Sequence, residues 1–144
     1  MPSPTNFPAR GKIIEVRDRI AVFQPSNTNY QLHLEFSGDA KPAVSTQPIE
    51  CLIRVDARKV YTVPSGGNFI QPIFGPPRII QGRVKYADNQ TIVVQAGCPI
   101  ICRLPDAETA IDLSEGKIRV GHMANVVALP GATMELLTAS VAGA

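Results

Sequence analysis

Cys98 and Cys102 stand four residues apart on a run that reads as a strand, so both thiols point to one face. Cys51 is the third thiol, and His33 and His122 are the two imidazoles. Three thiolates and one imidazole would make a tetrahedral zinc set. Zinc sites with recognisable spacing use tighter cysteine pairs, however, and cysteine is among the residues most often found fully buried. Core packing is the stronger reading, and neither metal nor cofactor is expected. His33 lies between Leu32 and Leu34 and would point to the outer face of a strand, while His122 follows Gly121 in a turn. Neither has a serine, cysteine or carboxylate placed by sequence as a triad partner.

The carboxylates are scattered. Asp18, Asp56 and Asp88 fall at turns or strand ends, where aspartate bonds its own backbone. Asp106, Glu108, Asp112 and Glu115 gather on one long connection, but without the spacing or central glycine of a calcium loop. There is no phosphate loop, dinucleotide fingerprint or nucleophile elbow. The basic residues recur in matched places: Lys12 with Arg83, and Arg54 with Arg119. In Ile53-Arg54-Val55 and Ile118-Arg119-Val120 the apolar neighbours would face a core and both arginines would face out. Such a face, with Tyr61 and Tyr86 as rings, could hold a single nucleic-acid strand. Outward arginines on strands more often form solvated faces that discourage edge pairing.

The elements that must carry these residues read as strands, and they read twice. Gly11-Lys12-Ile13 opens a run reaching Ala21-Val22-Phe23-Gln24, and 71 residues on Gly82-Arg83-Val84 opens one reaching Ile92-Val93-Val94-Gln95. Ile53-Arg54-Val55 precedes Val60, Val63 and Pro64, as Ile118-Arg119-Val120 precedes Val126, Leu129 and Pro130. Short Val/Ile-rich runs broken by Gly, Pro, Asn and Asp place strands near 11–17, 19–24, 29–36, 50–56 and 58–63. Counterparts follow near 82–87, 91–96, 99–104, 117–121 and 124–129. The one helix candidate is Asp106-Ala107-Glu108-Thr109-Ala110, with acid near its start.

Five strands with the longest connection after the third is the layout of the OB-fold, a small Greek-key barrel. Val120-Gly121 to Val126-Val127-Ala128-Leu129 also resembles the last strand pair of such barrels. The expected fold class is all-β: two tandem, internally repeated five-stranded barrels of OB-like layout. A single barrel with strands exchanged between the halves would use the same runs. The expected division is a loose N-terminal arm at 1–9, a first barrel at 10–64, a Pro/Gly-rich apolar connector at 65–80, a second barrel at 81–136 and a tail at 137–144.

A chain of 144 residues with 44% hydrophobic residues can bury one substantial core, whereas either half alone would be marginal. The net charge is +2, with signs well mixed between the halves, unlike a dedicated duplex-DNA binder. Three cysteines do not make a disulfide framework, and Met1-Pro2-Ser3-Pro4 does not open a secretory signal, so a cytoplasmic location is expected. The longest uncharged stretch, 60–77, is broken by prolines and glycines and cannot be a membrane helix, so no membrane is expected.

The connector fits neither repeat. Phe69, Ile70, Ile73 and Phe74 sit among stiff prolines and need something apolar to lie against. They pack as a clasp between the barrels or contact a partner, with Gly66-Gly67 allowing close backbone approach. Three functions follow. The first is a non-catalytic binding or assembly module that meets a protein partner or itself through Gly66, Gly67, Phe69, Ile70 and Phe74. The second is single-stranded nucleic-acid binding along Lys12, Arg54, Tyr61, Arg83, Tyr86 and Arg119. The third is an enzyme with a site at the barrel interface.

Overall fold

A strand buried on one face must alternate, and the first one does: Ala9, Gly11 and Ile13 are buried while Arg10, Lys12 and Ile14 are exposed. A computed structural model of the chain describes residues 3–38, 41–105 and 118–137. The helix candidate at 106–110, the acidic Asp106, Glu108, Asp112 and Glu115, and the tail beyond Leu137 lie outside the described residues. Those described are all-β, apart from a single 3-10 turn at Pro4–Asn6. The strands are β1 (Ala9–Arg17), β2 (Ile20–Pro25), β3 (Gln31–Phe36), β4 (Ile49–Val63), β5 (Phe69–Gln71), β6 (Phe74–Gly75), β7 (Ile79–Ala87), β8 (Thr91–Gln95), β9 (Pro99–Arg103), β10 (Met123–Ala128) and β11 (Thr133–Leu136).

All eleven join one mixed sheet, whose pairings close on themselves twice. One circuit runs β1–β2–β3–β11–β4 and returns, because Ala9 to Gly11 also pair with β4. The other runs β4–β10–β7–β8–β9 and returns through the parallel pairing of Arg54 to Asp56 with Ile101 to Arg103. β4 belongs to both.

The runs from Gly11 and Gly82 keep step in the structure. The β1–β2 register shifts between Ile13 and Glu15, and the β7–β8 register between Val84 and Tyr86, which is 71 residues on. Asp18 and Asn27 turn the chain at positive φ, a conformation their short polar side chains tolerate. Asp88 makes the later turn by accepting from the backbone N–H groups of Gln90 (2.8 Å) and Thr91 (2.9 Å).

Three expectations need correction. The strands placed at 50–56 and 58–63 are one, because Asp56 is an exposed position inside β4: Cys51, Ile53, Val55 and Ala57 are buried in unbroken alternation across it. Residues 118–121 form no strand. Gly121 turns at φ 95°, with its N–H on the Val84 carbonyl and that of His122 on Arg119. Arg119 therefore sits in a turn and is not the strand counterpart of Arg54. The N-terminal arm is not loose from Ser3 onward. Ser3 and Asn6 cap the 3-10 turn reciprocally, and Phe7 packs on the Tyr86 ring with centroids 6.2 Å apart.

The core is one cluster spanning both circuits, with Phe23, Leu32, Leu34 and Ile53 on one side and Val84, Ile92, Ile100 and Val126 on the other. A small second cluster, Leu52, Val93 and Ile101, lies on the opposite faces of β4, β8 and β9 and is covered by Phe7 and Tyr86. Met134, on the late strand β11, is fully buried in the main cluster.

A candidate binding groove beside the connector

The connector is tied to both circuits. Ile70 is buried, pairs with Ile80 through β5, and its N–H donates to the Tyr30 hydroxyl at 3.2 Å. Phe74 and Gly75 pair in parallel with Gln31 and Leu32, and the Gln31 N–H reaches the Ile73 carbonyl at 2.7 Å. Gly66 and Gly67 serve this docking: the Gln81 amide donates to the Gly67 carbonyl at 3.0 Å, and a Cβ on Gly66 would come within 2.7 Å of the Gln81 amide nitrogen. Gln81 in turn accepts from the Asn125 amide at 2.9 Å, so a buried polar pair anchors the segment.

The clasp is incomplete. Ile73 is 61% exposed and Phe74 60%, although Ile70 beside them is buried. The Phe74 ring meets His33 edge-on at 4.5 Å between centroids, and His33 points away from the core as its place between Leu32 and Leu34 requires. The His33 Nε2 is buried and has no hydrogen-bond partner among the described residues. Phe69 is half-buried.

Beside this knuckle lies a groove of about 960 Å³. Its apolar lining comes from Pro72, Pro76 and Pro77 of the connector, Ile79 of β7, Val127 of β10, and the Leu129–Pro130 exit from β10. Val127 is on the face opposite the fully buried Val126, which puts the groove outside the core. Arg58 and Arg78 also line it, and no acidic residue does among those described. Sequence reading passed over both arginines because neither has a counterpart in the matched runs. A signal was nonetheless available: 57–103 carries six basic residues (Arg58, Lys59, Arg78, Arg83, Lys85, Arg103) against Asp88 alone, an excess concealed by comparing whole halves.

The residues expected to contact nucleic acid are divided. Arg54 pairs with Glu135 at 2.7 Å. Arg83 donates to the Gly121 carbonyl at 2.8 Å, and the Arg119 Nε to His122 at 3.1 Å, so both arginines bond within the turn before β10. Lys12 is exposed on β1, opposite Gln24. Tyr61 is exposed on β4, but the Tyr86 hydroxyl donates to Asp88 at 2.6 Å and its ring lies against Phe7, which takes it out of use as a free platform. That hydrogen bond, with smaller contributions from burial and the Asp88 charge, holds the Tyr86 phenol above its ordinary value. For Asp88, burial pulls upward, but the bonds from Tyr86, Gln90 and Thr91 prevail and lower its carboxyl.

The three thiols are all free and buried. No group of three or more His, Cys, Asp or Glu side chains is gathered for a metal among the described residues, and no helix there is long and apolar enough to cross a membrane. Burial pushes the Cys51 thiol from 9.0 up to about 12. It moves Cys98 and Cys102 in the same direction, with Cys51 adding to the effect at Cys98. A thiol that stays neutral when folded but ionises when unfolded contributes stability that is complete below pH 9.0 and is lost as pH climbs toward 12. The loss is about 1.4 kcal/mol per thiol per pH unit inside that window. The urea midpoint should therefore fall steeply between pH 8.5 and 10.5, and less steeply in Cys102→Ala; a wild-type midpoint flat across that range would contradict this account.

Compared with protein-family models, curated proteins and solved structures, the chain matches none.

Proposed function

We infer that the chain is a non-catalytic binding or assembly module, built as two small five-stranded barrels that share β4, which meets a protein partner or a second copy through its connector. The two closed pairing circuits support the barrels, and the 71-residue step between the two register shifts supports a duplicated origin. The observation that carries the functional reading is the exposure of Ile73 and Phe74 on a segment otherwise anchored at both ends. A clasp that served only to hold the barrels together would bury its largest side chains, and an anchored, exposed aromatic is what interface centres use. Single-stranded nucleic acid remains the alternative, drawing on the basic excess of 57–103, although Arg54 is already paired and Tyr86 already packed.

Sedimentation velocity over 1–200 µM, roughly the range of moderate interface affinities, tests the reading. Wild type should gain mass with concentration, and Ile73→Ser/Phe74→Ser should stay monomeric with an unchanged melting temperature. If wild type is monomeric throughout, a photo-crosslinker at position 74 should still capture protein from a lysate, in preference to one at position 12. Failure of both arms sinks the reading.

A further inference from the structure

We propose that the groove between Arg58 and Arg78 takes an extended acidic peptide, whose carboxylates meet the two guanidiniums while its aliphatic side chains lie on Ile79, Val127 and Leu129. This deepens the reading of the chain as a protein-binding module and rests on it.

The two arginines differ from most others in this fold. Arg17 and Arg54 are in ion pairs, and Arg19 and Arg83 donate to backbone carbonyls. Arg58 and Arg78 are exposed, and neither guanidinium makes an ion pair or hydrogen bond among the described residues. They line one concave surface with no carboxylate in its lining among the described residues, so an incoming anion meets attraction from both guanidiniums there. A guanidinium presents a planar fork that fits a carboxylate with two parallel N–H···O bonds, and beside an apolar surface such a bond is stronger than in open water.

The remaining lining selects among anions. No aromatic ring lines the groove among the described residues, so a nucleobase would find no stacking platform there, which disfavours a nucleic-acid strand. Prolines and branched aliphatic side chains instead suit aliphatic residues. Pro72, Pro76 and Pro77 have little conformational freedom left to lose, so the site is largely organised before the ligand arrives. At about 960 Å³ the groove is at the upper end of small-ligand sites, as a short stretch of extended chain requires.

The test is fluorescence anisotropy with the full chain at 50 mM salt. The probes are a fluorescein-labelled decapeptide alternating Glu with Leu or Val, the same peptide with Lys in place of Glu, and a ten-nucleotide oligo-dT. The acidic peptide should bind at least tenfold tighter than the lysine version. It should weaken at least tenfold in Arg58→Glu/Arg78→Glu, with a smaller loss in Arg58→Gln/Arg78→Gln, and stay within twofold in the surface control Arg10→Glu/Lys41→Glu. Melting temperatures of the variants establish that they are folded. Absence of acidic-peptide binding, an equal loss in the control, or tighter oligo-dT binding with the same dependence on Arg58 and Arg78 would each overturn the proposal. None of these outcomes bears on crosslinking at position 74, so a failure here is separable from failure of the broader reading.

Discussion

Ending the chain at Pro130 should abolish cooperative folding of the whole protein, including the part encoded by its first half. The strand lost, β11, lies between β3 and β4: Thr133 and Met134 pair with Glu35 and Phe36, and Thr133 to Leu136 pair with Arg54 to Cys51. Without it the first circuit is open, and the backbone groups of β3 and β4 lose their partners at a point where Ile53 and Phe36 are buried. Fully buried Met134 and nearly buried Ala132 go with it. Truncating one buried methionine to alanine costs about 2–5 kcal/mol, and a domain of this size has only about 5–15 kcal/mol in total. Loss of a whole central strand exceeds what the remainder can bear. Met134→Ala should show the same dependence in graded form, lowering stability by about 3 kcal/mol while the protein still folds. Urea unfolding by circular dichroism, with hydrogen exchange resolved by residue, checks both. Continued amide protection in β1 to β3 of the truncated chain would mean that the first unit folds alone.

The second large effect is expected at two glycines whose roles coincide. A Cβ on Gly82 would stand 2.0 Å from the Gln95 carbonyl oxygen, and one on Gly11 would stand 2.2 Å from that of Gln24. Both obstacles are backbone in a neighbouring paired strand, so the strand itself must move and no rotamer change relieves the clash. Gly82→Ala and Gly11→Ala should each cost about 3 kcal/mol, the upper range for overpacking, and lower the melting temperature by roughly 10 °C. Gly67→Ala meets nothing within 4 Å and should change stability by no more than about 0.5 kcal/mol. Thermal unfolding of the three variants decides the point. Similar large losses at 11 and 82 would mark them as equivalent positions, and an unchanged Gly82→Ala would contradict the close approach of β7 and β8.

The likeness of the runs from Gly11 and Gly82 was legible because each run is local. Gly11 to Gln24 and Gly82 to Gln95 each form a hairpin whose alternation and turn residues lie within the run itself. The second pair of similar blocks misled because Ile-x-Val alternation is the same on paper in a strand and in a three-residue stretch ended by a glycine at positive φ. Ile53 to Val55 are in a strand shared by two circuits, while Ile118 to Val120 lead into a turn. The connector's composition announced that it must lie against something. It did not announce that Ile70 would go in and Ile73 and Phe74 stay out, since that depends on the Tyr30 hydroxyl and Gln81, distant in sequence.

By itself, then, the sequence determined that the described residues are all-β, where the strands of the two hairpin runs lie, that the thiols are buried, and that 57–103 is basic. These follow from side-chain period, local turn chemistry and composition, which are properties of short stretches. Only the tertiary structure decided that β4 serves two circuits, that β11 returns to complete the first, and that Arg58 and Arg78 look into one groove. Strand partners are chosen by long-range burial and backbone hydrogen bonding, and many pairings satisfy the same alternation.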